Sequence, residues 1–121
     1  VEDLSKNAKK RVCIISDQVM RAMMNINLQK AKKGVEFRYI YPKNSDVPEE
    51  LRAKKRLPIE VRFLDEVHLS MKFNEKSGGL ALPGLDNKID YGFGLMGSES
   101  QFLRWMELLF DYYWEKAEST F

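Results

Sequence analysis

The sequence is poor in the residues that build reactive and metal-binding sites. It has one cysteine, Cys13, and one histidine, His68, among 121 residues. A single cysteine excludes a disulfide within the chain, and one of each type is too few for an ordinary zinc site. The sequence also lacks the HExxH, CxxC, GxSxG and P-loop motifs. We therefore expect no enzyme activity, no metal and no cofactor.

Charge and hydropathy exclude further classes of protein. The 20 basic and 18 acidic residues leave a net charge of +2, too balanced to indicate a nucleic-acid surface. No apolar run reaches the roughly 18 residues of a membrane span. A basic cluster at Arg52 and 54–56 lacks interleaved aromatic residues and reads as a solvated helix face. With no disulfide framework and no visible signal peptide, we expect a cytoplasmic protein that does not contact membranes.

The first part of the chain predicts a β-α-β unit. The apolar run Val12–Ile15 indicates a strand buried on both faces. Ser16 would cap a helix at Asp17–Lys33, and Gly34 would end that helix. Val35–Tyr41 is the second strand, which the helix would connect in a parallel crossover. The broad face of this helix is formed by Met20, Met23, Met24, Asn27, Leu28 and Ala31.

The rest of the chain predicts an antiparallel meander and a long last helix. Ile59–Leu64 and Leu69–Phe73 alternate between apolar and polar residues, and the short runs 80–82 and 89–96 follow turn signals. Ser98 and Gln101 form a potential capping box for the last helix. The predicted fold is a mixed α/β domain with a β-α-β unit, an antiparallel meander and a long C-terminal helix.

The last helix is apolar over more than half of its circumference. A helix on one side of a sheet needs only about a third. Leu103, Tyr112 and Trp114 lie off its main stripe. They are our candidates for the interface of a homodimer, although burial within this domain remains the alternative.

Scattered polar residues are the candidates for a ligand site. Ser16 and Asp17 follow a strand at the edge where ligands collect in α/β sheets. Arg38 lies mid-strand, where it either pairs with a buried carboxylate or binds an anion. Three tyrosines would supply a pocket wall: Tyr39, Tyr41 and Tyr91. The candidate ligand-binding residues are Ser16, Asp17, Arg38, Arg62, Glu75 and Asp90. We read Cys13 as buried apolar filling, and His68 and Asp65–Glu66 as solvated.

Several phrases, in order, resemble one family. They are AKKRVCIISDQV, GVEFRYIYP, PIEVRFLDEVHLSMKFNEK, NKIDYGFGL and FLRWMELLFDYYWEKA. Together they look like the middle or C-terminal sensor domain of archaeal winged-helix transcription regulators, the methanogenesis and filamentation regulatory proteins. The resemblance covers Ala8 to Ala117.

The resemblance implies a domain organisation and a function. Residues 1–10 would be a linker from an absent N-terminal winged-helix domain, and residues 11–121 a single effector-sensing and dimerisation domain. DNA would be bound only through the missing part, and the effector would be small and anionic or polar. The fold would be distantly phospholipase D-like, but without the HxK motif. The alternatives are a structural homodimerisation module without a ligand and, more remotely, a small enzyme.

Overall fold

A mixed sheet forms the centre of the molecule. Within residues 2–52 and 57–119, which the computed structural model describes, six strands pair in the order β3-β2-β1-β4-β5-β6. The strands are β1 Arg11–Ile15, β2 Glu36–Pro42, β3 Ile59–Leu64, β4 Ser70–Asn74, β5 Gly78–Pro83 and β6 Ile89–Gly97. The helices are α1 Glu2–Lys6, α2 Met24–Lys32, α3 Glu49–Arg52 and α4 Ser100–Lys116, with a short 3₁₀ turn Arg21–Met23 ahead of α2.

The strand directions confirm the predicted mixed α/β fold. β1 and β2 are parallel and are joined through α2, while β4, β5 and β6 form an antiparallel meander. One strand differs from the expectation: β3 runs parallel to β2, and β4 pairs with β1 instead of β3. The alternating pattern of β3 defines its two faces but not the strand with which it pairs. The connection 43–58 is long enough to bring β3 parallel to β2, at the edge of the sheet beside β2.

Apolar side chains form one core on each face of the sheet. The first core lies on the side of α1, α2 and α3 and includes Phe37, Tyr39 and Tyr41 of β2. The second lies under α4 and includes Ile15 and Phe110. Successive residues of β1 alternate between the two cores, which explains its unbroken apolar run.

The helix starts differ from their predicted signals. Ser16 Oγ donates to the backbone oxygen of Gln18 at 2.8 Å and therefore closes a turn instead of capping a helix. The chain becomes helical only at Arg21. Gly34, with φ of +98°, ends α2 as predicted. The predicted capping box of α4 is wrong, because its N-cap is Glu99, without a side-chain hydrogen bond.

The start of the chain packs against the sheet. We expected residues 1–10 to be a linker, but Glu2–Lys6 form α1, and Leu4, Ser5 and Ala8 are buried. Asn74 Nδ2 donates to the backbone oxygen of Leu4 at 2.6 Å. Much of this stretch is thus part of the packed domain, and a winged helix ahead of it stays a prediction.

In the part of the chain that the structure describes, no helix has the length and apolar character needed to span a membrane.

Candidate ligand-binding cavity

A cavity of about 360 Å³ lies between α2 and the sheet. This volume is within the roughly 300–1,000 Å³ that is typical of small-molecule sites. The floor comes from β1, β2, β4, β5 and β6, and the roof from Leu4 of α1 and the segment Met20–Asn27. The exposed lining residues Met20, Tyr91 and Met96 mark the mouth of the cavity.

Strand register explains why residues distant in sequence share the floor. One row crosses five strands and contains Tyr39, Ile14, Lys72, Gly79 and Met96. Residues in one row point to the same face of a sheet. Gly79 leaves space above β5 that a side chain would fill. A Cβ atom at this position would lie 3.3 Å from Met96 Cγ. The cavity thus depends on a small residue in the middle of the row.

The wall is mostly apolar and rich in methionine. The residues that line it include five of the chain's six methionines: Met20, Met23, Met24, Met71 and Met96. The side chain of Met71 belongs to the core under α4. Methionine is unbranched and polarizable, so such a wall adapts to apolar molecules of different shape.

Asn27 is the most unusual residue of the cavity. Its side chain is 3% exposed, and its Nδ2 donates to Tyr39 Oη at 3.0 Å. In the described part of the chain, Oδ1 of Asn27 is the one buried side-chain oxygen or nitrogen without a hydrogen-bond partner. Burial raises the pKa of Tyr39 well above its usual value, so the phenol is neutral. The lining of the cavity thus includes a residue with a buried, unpartnered hydrogen-bond acceptor.

Lys72 contributes an amine to the floor. Its Nζ donates to Ser5 Oγ at 2.8 Å. Burial lowers the pKa of Lys72 to about 8, because the charged form loses hydration. The group therefore exchanges between ammonium and amine close to neutral pH.

A hydrogen bond links the two sides of the mouth. Tyr91 Oη of β6 donates to Asp17 Oδ1, which follows β1. Burial and then this carboxylate raise the pKa of Tyr91, so the phenol stays protonated near neutral pH and can donate this hydrogen bond. Ser16 is 4% exposed and also lines the cavity. The structure thus brings Ser16 and Asp17 to the cavity together with the three predicted tyrosines; that they bind a ligand stays a prediction.

Arg38 and Arg62 lie on the other face of the sheet. Their guanidinium groups stack over the ring of Trp114 at 5.3 Å and 4.2 Å from its centroid. Arg62 also donates to the backbone oxygen of Trp114 at 2.8 Å and to Glu60 at 3.0 Å. The expected convergence of these arginines with Ser16 and Asp17 is wrong, because the alternation of β2 and β3 directs them towards α4.

Glu75 and Asp90 have local structural roles outside the cavity. Glu75 accepts hydrogen bonds from three successive backbone N–H groups, of Lys9, Lys10 and Arg11, at 2.7, 3.1 and 3.2 Å. Burial alone would raise the pKa of Glu75, but the backbone hydrogen bonds lower it by more. The pKa of this carboxyl group therefore lies below its usual value. Asp90 Oδ1 accepts from the backbone N–H of Gly92 at 3.0 Å.

The three interface candidates occupy different environments. Tyr112 is 53% exposed, Leu103 is half-buried, and Trp114 is only 7% exposed. Trp114 stacks on Phe110 within the core under α4, so its assignment to the surface is corrected. It continues the i, i+4 row of Met106 and Phe110 that faces the sheet. The exposed large apolar residues of α4 are Trp105, Leu108 and Tyr112.

The other described residues considered from the sequence do not line the cavity. Cys13 is 4% exposed, and burial raises the pKa of its thiol to about 12, as expected for apolar filling. His68 is exposed and pairs with Glu66 at 2.9 Å, and Asp65 pairs with Lys43 at 2.7 Å. Residues 54–56 of the basic cluster lie outside the described residues. Over residues 2–52 and 57–119, no three His, Cys, Asp or Glu residues are placed to hold a metal ion.

Asn27 and the methionines are the parts of the site that the search of the sequence missed, whereas Lys72 was among the polar residues noted on the predicted strands. Asn27 stood on the apolar face of the predicted helix, where an amide needs a partner. That amide, between Met23, Met24 and Ala31, was the available signal.

Comparison with solved structures gives two similar folds. One belongs to TrmBL2, described as an archaeal chromatin protein that shows a novel mode of DNA binding, with 20% identity and a TM-score of 0.78. The match covers 98% of this chain and 48% of that chain, so this chain spans about half of TrmBL2. The other is NucT from Helicobacter pylori, with 12% identity and a TM-score of 0.73 over 98% of this chain and 87% of that chain.

These matches confirm the fold and correct one expectation. No protein-family model and no curated protein matches the chain. NucT is a phospholipase D-like nuclease, which fits the distant phospholipase D-like fold that the resemblance implied. It also overturns our expectation that the chain is not an enzyme, because nearly the whole chain has the fold of an enzyme. The chain has a fold found both in an archaeal chromatin protein and in a nuclease.

Proposed function

We propose that this chain is the ligand-sensing domain of a longer, cytoplasmic DNA-binding regulator. The observation that carries the proposal is the 360 Å³ cavity whose lining includes Asn27, with its buried and unpartnered Oδ1. A buried polar atom without a partner costs about 1–3 kcal/mol, which a bound molecule would recover. The likeness to half of TrmBL2, an archaeal chromatin protein that binds DNA, supports a regulatory setting. In this proposal, another part of the longer protein binds DNA.

The effector in this proposal is small and mainly apolar. Arg38 and Arg62 stack on Trp114 across the sheet from the cavity, so they do not reach a molecule inside it. Ser16, Tyr91 and Asp17 meet at the mouth, where a polar end of the effector would lie. Binding regulates only if it favours one arrangement of the domain over another.

Native mass spectrometry of the full-length gene product, incubated with small-molecule extract of the source organism, tests the proposal. We expect a bound small molecule on the unmutated protein and none on Ala81→Phe, which places a ring in the cavity. Ala22→Phe is the matched control, since Ala22 is exposed on the 3₁₀ turn and does not line the cavity. Absence of any bound molecule, or equal binding by both variants, would contradict the sensing function.

We also propose that the outer face of α4 joins two copies of the domain. Trp105, Leu108 and Tyr112 are about half exposed and recur at i, i+3 and i+7, which makes one apolar stripe. A single stripe is suited to a two-fold contact with itself. Sedimentation should show a concentration-dependent dimer that Leu108→Glu abolishes and the exposed control Glu115→Gln retains. A monomer at all concentrations would contradict the dimer and would mean that the outer face of α4 is exposed to solvent.

Catalysis in the same cavity is the second candidate. Lys72, whose pKa is about 8, supplies an amine that is partly unprotonated at neutral pH, and the NucT fold carries an enzyme. The test is cleavage of plasmid DNA and of bis(p-nitrophenyl) phosphate. Activity that Lys72→Met removes and the exposed control Lys76→Met keeps would favour this function. Equal activity of the two variants, or none in the unmutated protein, would count against it.

A further inference from the structure

Resting on the proposed sensing function, we propose that the effector is an apolar molecule with a single hydroxyl group that Asn27 recognises. Three features of the cavity support this: its apolar wall, its volume and the unpaired amide oxygen of Asn27. Each restricts the chemistry of the molecule that fits.

The wall favours hydrocarbon. Ile14, Met23 and Met24 present apolar atoms to the interior, and hydrocarbon gains about 25 cal/mol for each Å² removed from water. The volume of 360 Å³ has room for a molecule of roughly a dozen non-hydrogen atoms. A sugar or a small dianion would leave many of its polar groups without partners against this wall.

The amide oxygen specifies the polar group. Asn27 Nδ2 is used by Tyr39, whereas Oδ1 is buried and has no partner, so the ligand must donate a hydrogen bond to it. Asn27 is held by α2 and Tyr39 by β2, which fixes the acceptor in place. A hydroxyl suits the site because it donates one bond and carries no charge, and a charged ammonium would be costly in this apolar setting.

Two probes of the same shape separate the hydroxyl from the hydrocarbon. They are 1-naphthol and 1-methylnaphthalene, in which a methyl group replaces the hydroxyl. On the unmutated protein, calorimetry should show 1-naphthol binding about fivefold more tightly, the size of one net hydrogen bond. Asn27→Leu should reverse the order, because the hydroxyl then lies unpaired against a methyl group. The matched control is Asn25→Leu, an exposed position of the same helix.

The possible results have distinct meanings. If both probes bind with equal affinity, or if Asn27→Leu keeps the preference, recognition by Asn27 is wrong while the cavity remains a ligand site. A water molecule that already serves Oδ1 would give this result. If neither probe binds, the ligand cavity itself is contradicted. The comparison on the unmutated protein requires no variant, so it holds even if Asn27→Leu fails to fold.

Discussion

At the scale of single residues, Glu75 fastens the start of β1. Its carboxylate accepts three backbone N–H groups from Lys9 to Arg11, donors that a neighbouring strand would otherwise satisfy. A carboxylate that accepts several N–H groups is stabilised in its ionised form. Glu75 was a ligand candidate because the sequence alone does not distinguish a carboxylate that accepts backbone hydrogen bonds from one that binds a ligand.

Replacing this carboxylate should have a pH-dependent effect on stability. Glu75→Gln should lower the free energy of unfolding by about 1–2 kcal/mol at pH 7. The folded-state pKa of Glu75 lies below its usual value, so its contribution is present above the unfolded value and disappears as the pH falls through the folded one. Urea unfolding at pH 7 and at pH 3 measures this, with the exposed Glu66→Gln as control. An equal loss at both pH values would contradict the assignment.

Lys72 should also make stability rise with pH, but in an alkaline window. Its folded-state pKa of about 8 lies below that of the unfolded chain, so the unfolded protein holds more protons between these values. The stability contributed by Lys72 therefore rises as the pH increases from about 8 towards 10. Relative to Lys72→Met, the unmutated protein should gain about 1 kcal/mol between pH 7.5 and 9.5, allowing for solvent screening. If the difference in free energy of unfolding between the variant and the unmutated protein stays constant with pH, as expected for the control Lys76→Met, this titration is ruled out.

At the scale of elements, α4 has two apolar faces with different roles. Met106, Phe110 and Trp114 form the inner row, and the tail after the helix is tied to β3 by paired backbone bonds between Phe63 and Glu118. Hydropathy predicted the helix and its excess of apolar surface. It did not separate Trp114 from Tyr112, because that separation depends on the angle at which the helix lies on the sheet.

Truncating one residue from each face tests this division. Trp114→Ala should cost about 3–5 kcal/mol of stability, since it opens a void under α4 and removes the ring on which Arg38 and Arg62 stack. Tyr112→Ala should cost about 0.5 kcal/mol in the monomer, because the side chain is half exposed. Denaturant unfolding at low protein concentration gives both values. Similar small losses would mean that Trp114 is not core.

At the scale of the whole molecule, the sheet could be predicted further than the site. The β-α-β unit and the meander follow from local patterns, whereas the parallel pairing of β3 with β2 depends on a long connection that sequence does not orient. The cavity needs register across five strands, and only that register brings Lys72 beside Ile14 and Gly79. The positions of Arg38 and Arg62 were wrong for the same reason. The sequence shows that side chains alternate along each strand, but not which of the two faces lies towards the cavity.

Methyl NMR of the methionines tests the ligand cavity most directly. The side chains of Met20, Met23, Met24 and Met96 border the cavity, whereas those of Met71 and Met106 pack under α4. On titration with 1-naphthol, the ¹³C-methyl signals of the first four should shift in a saturable manner, and those of Met71 and Met106 should stay in place. Shifts confined to Met71 and Met106, or no saturable shift in any methionine, would contradict a ligand site between α2 and the sheet.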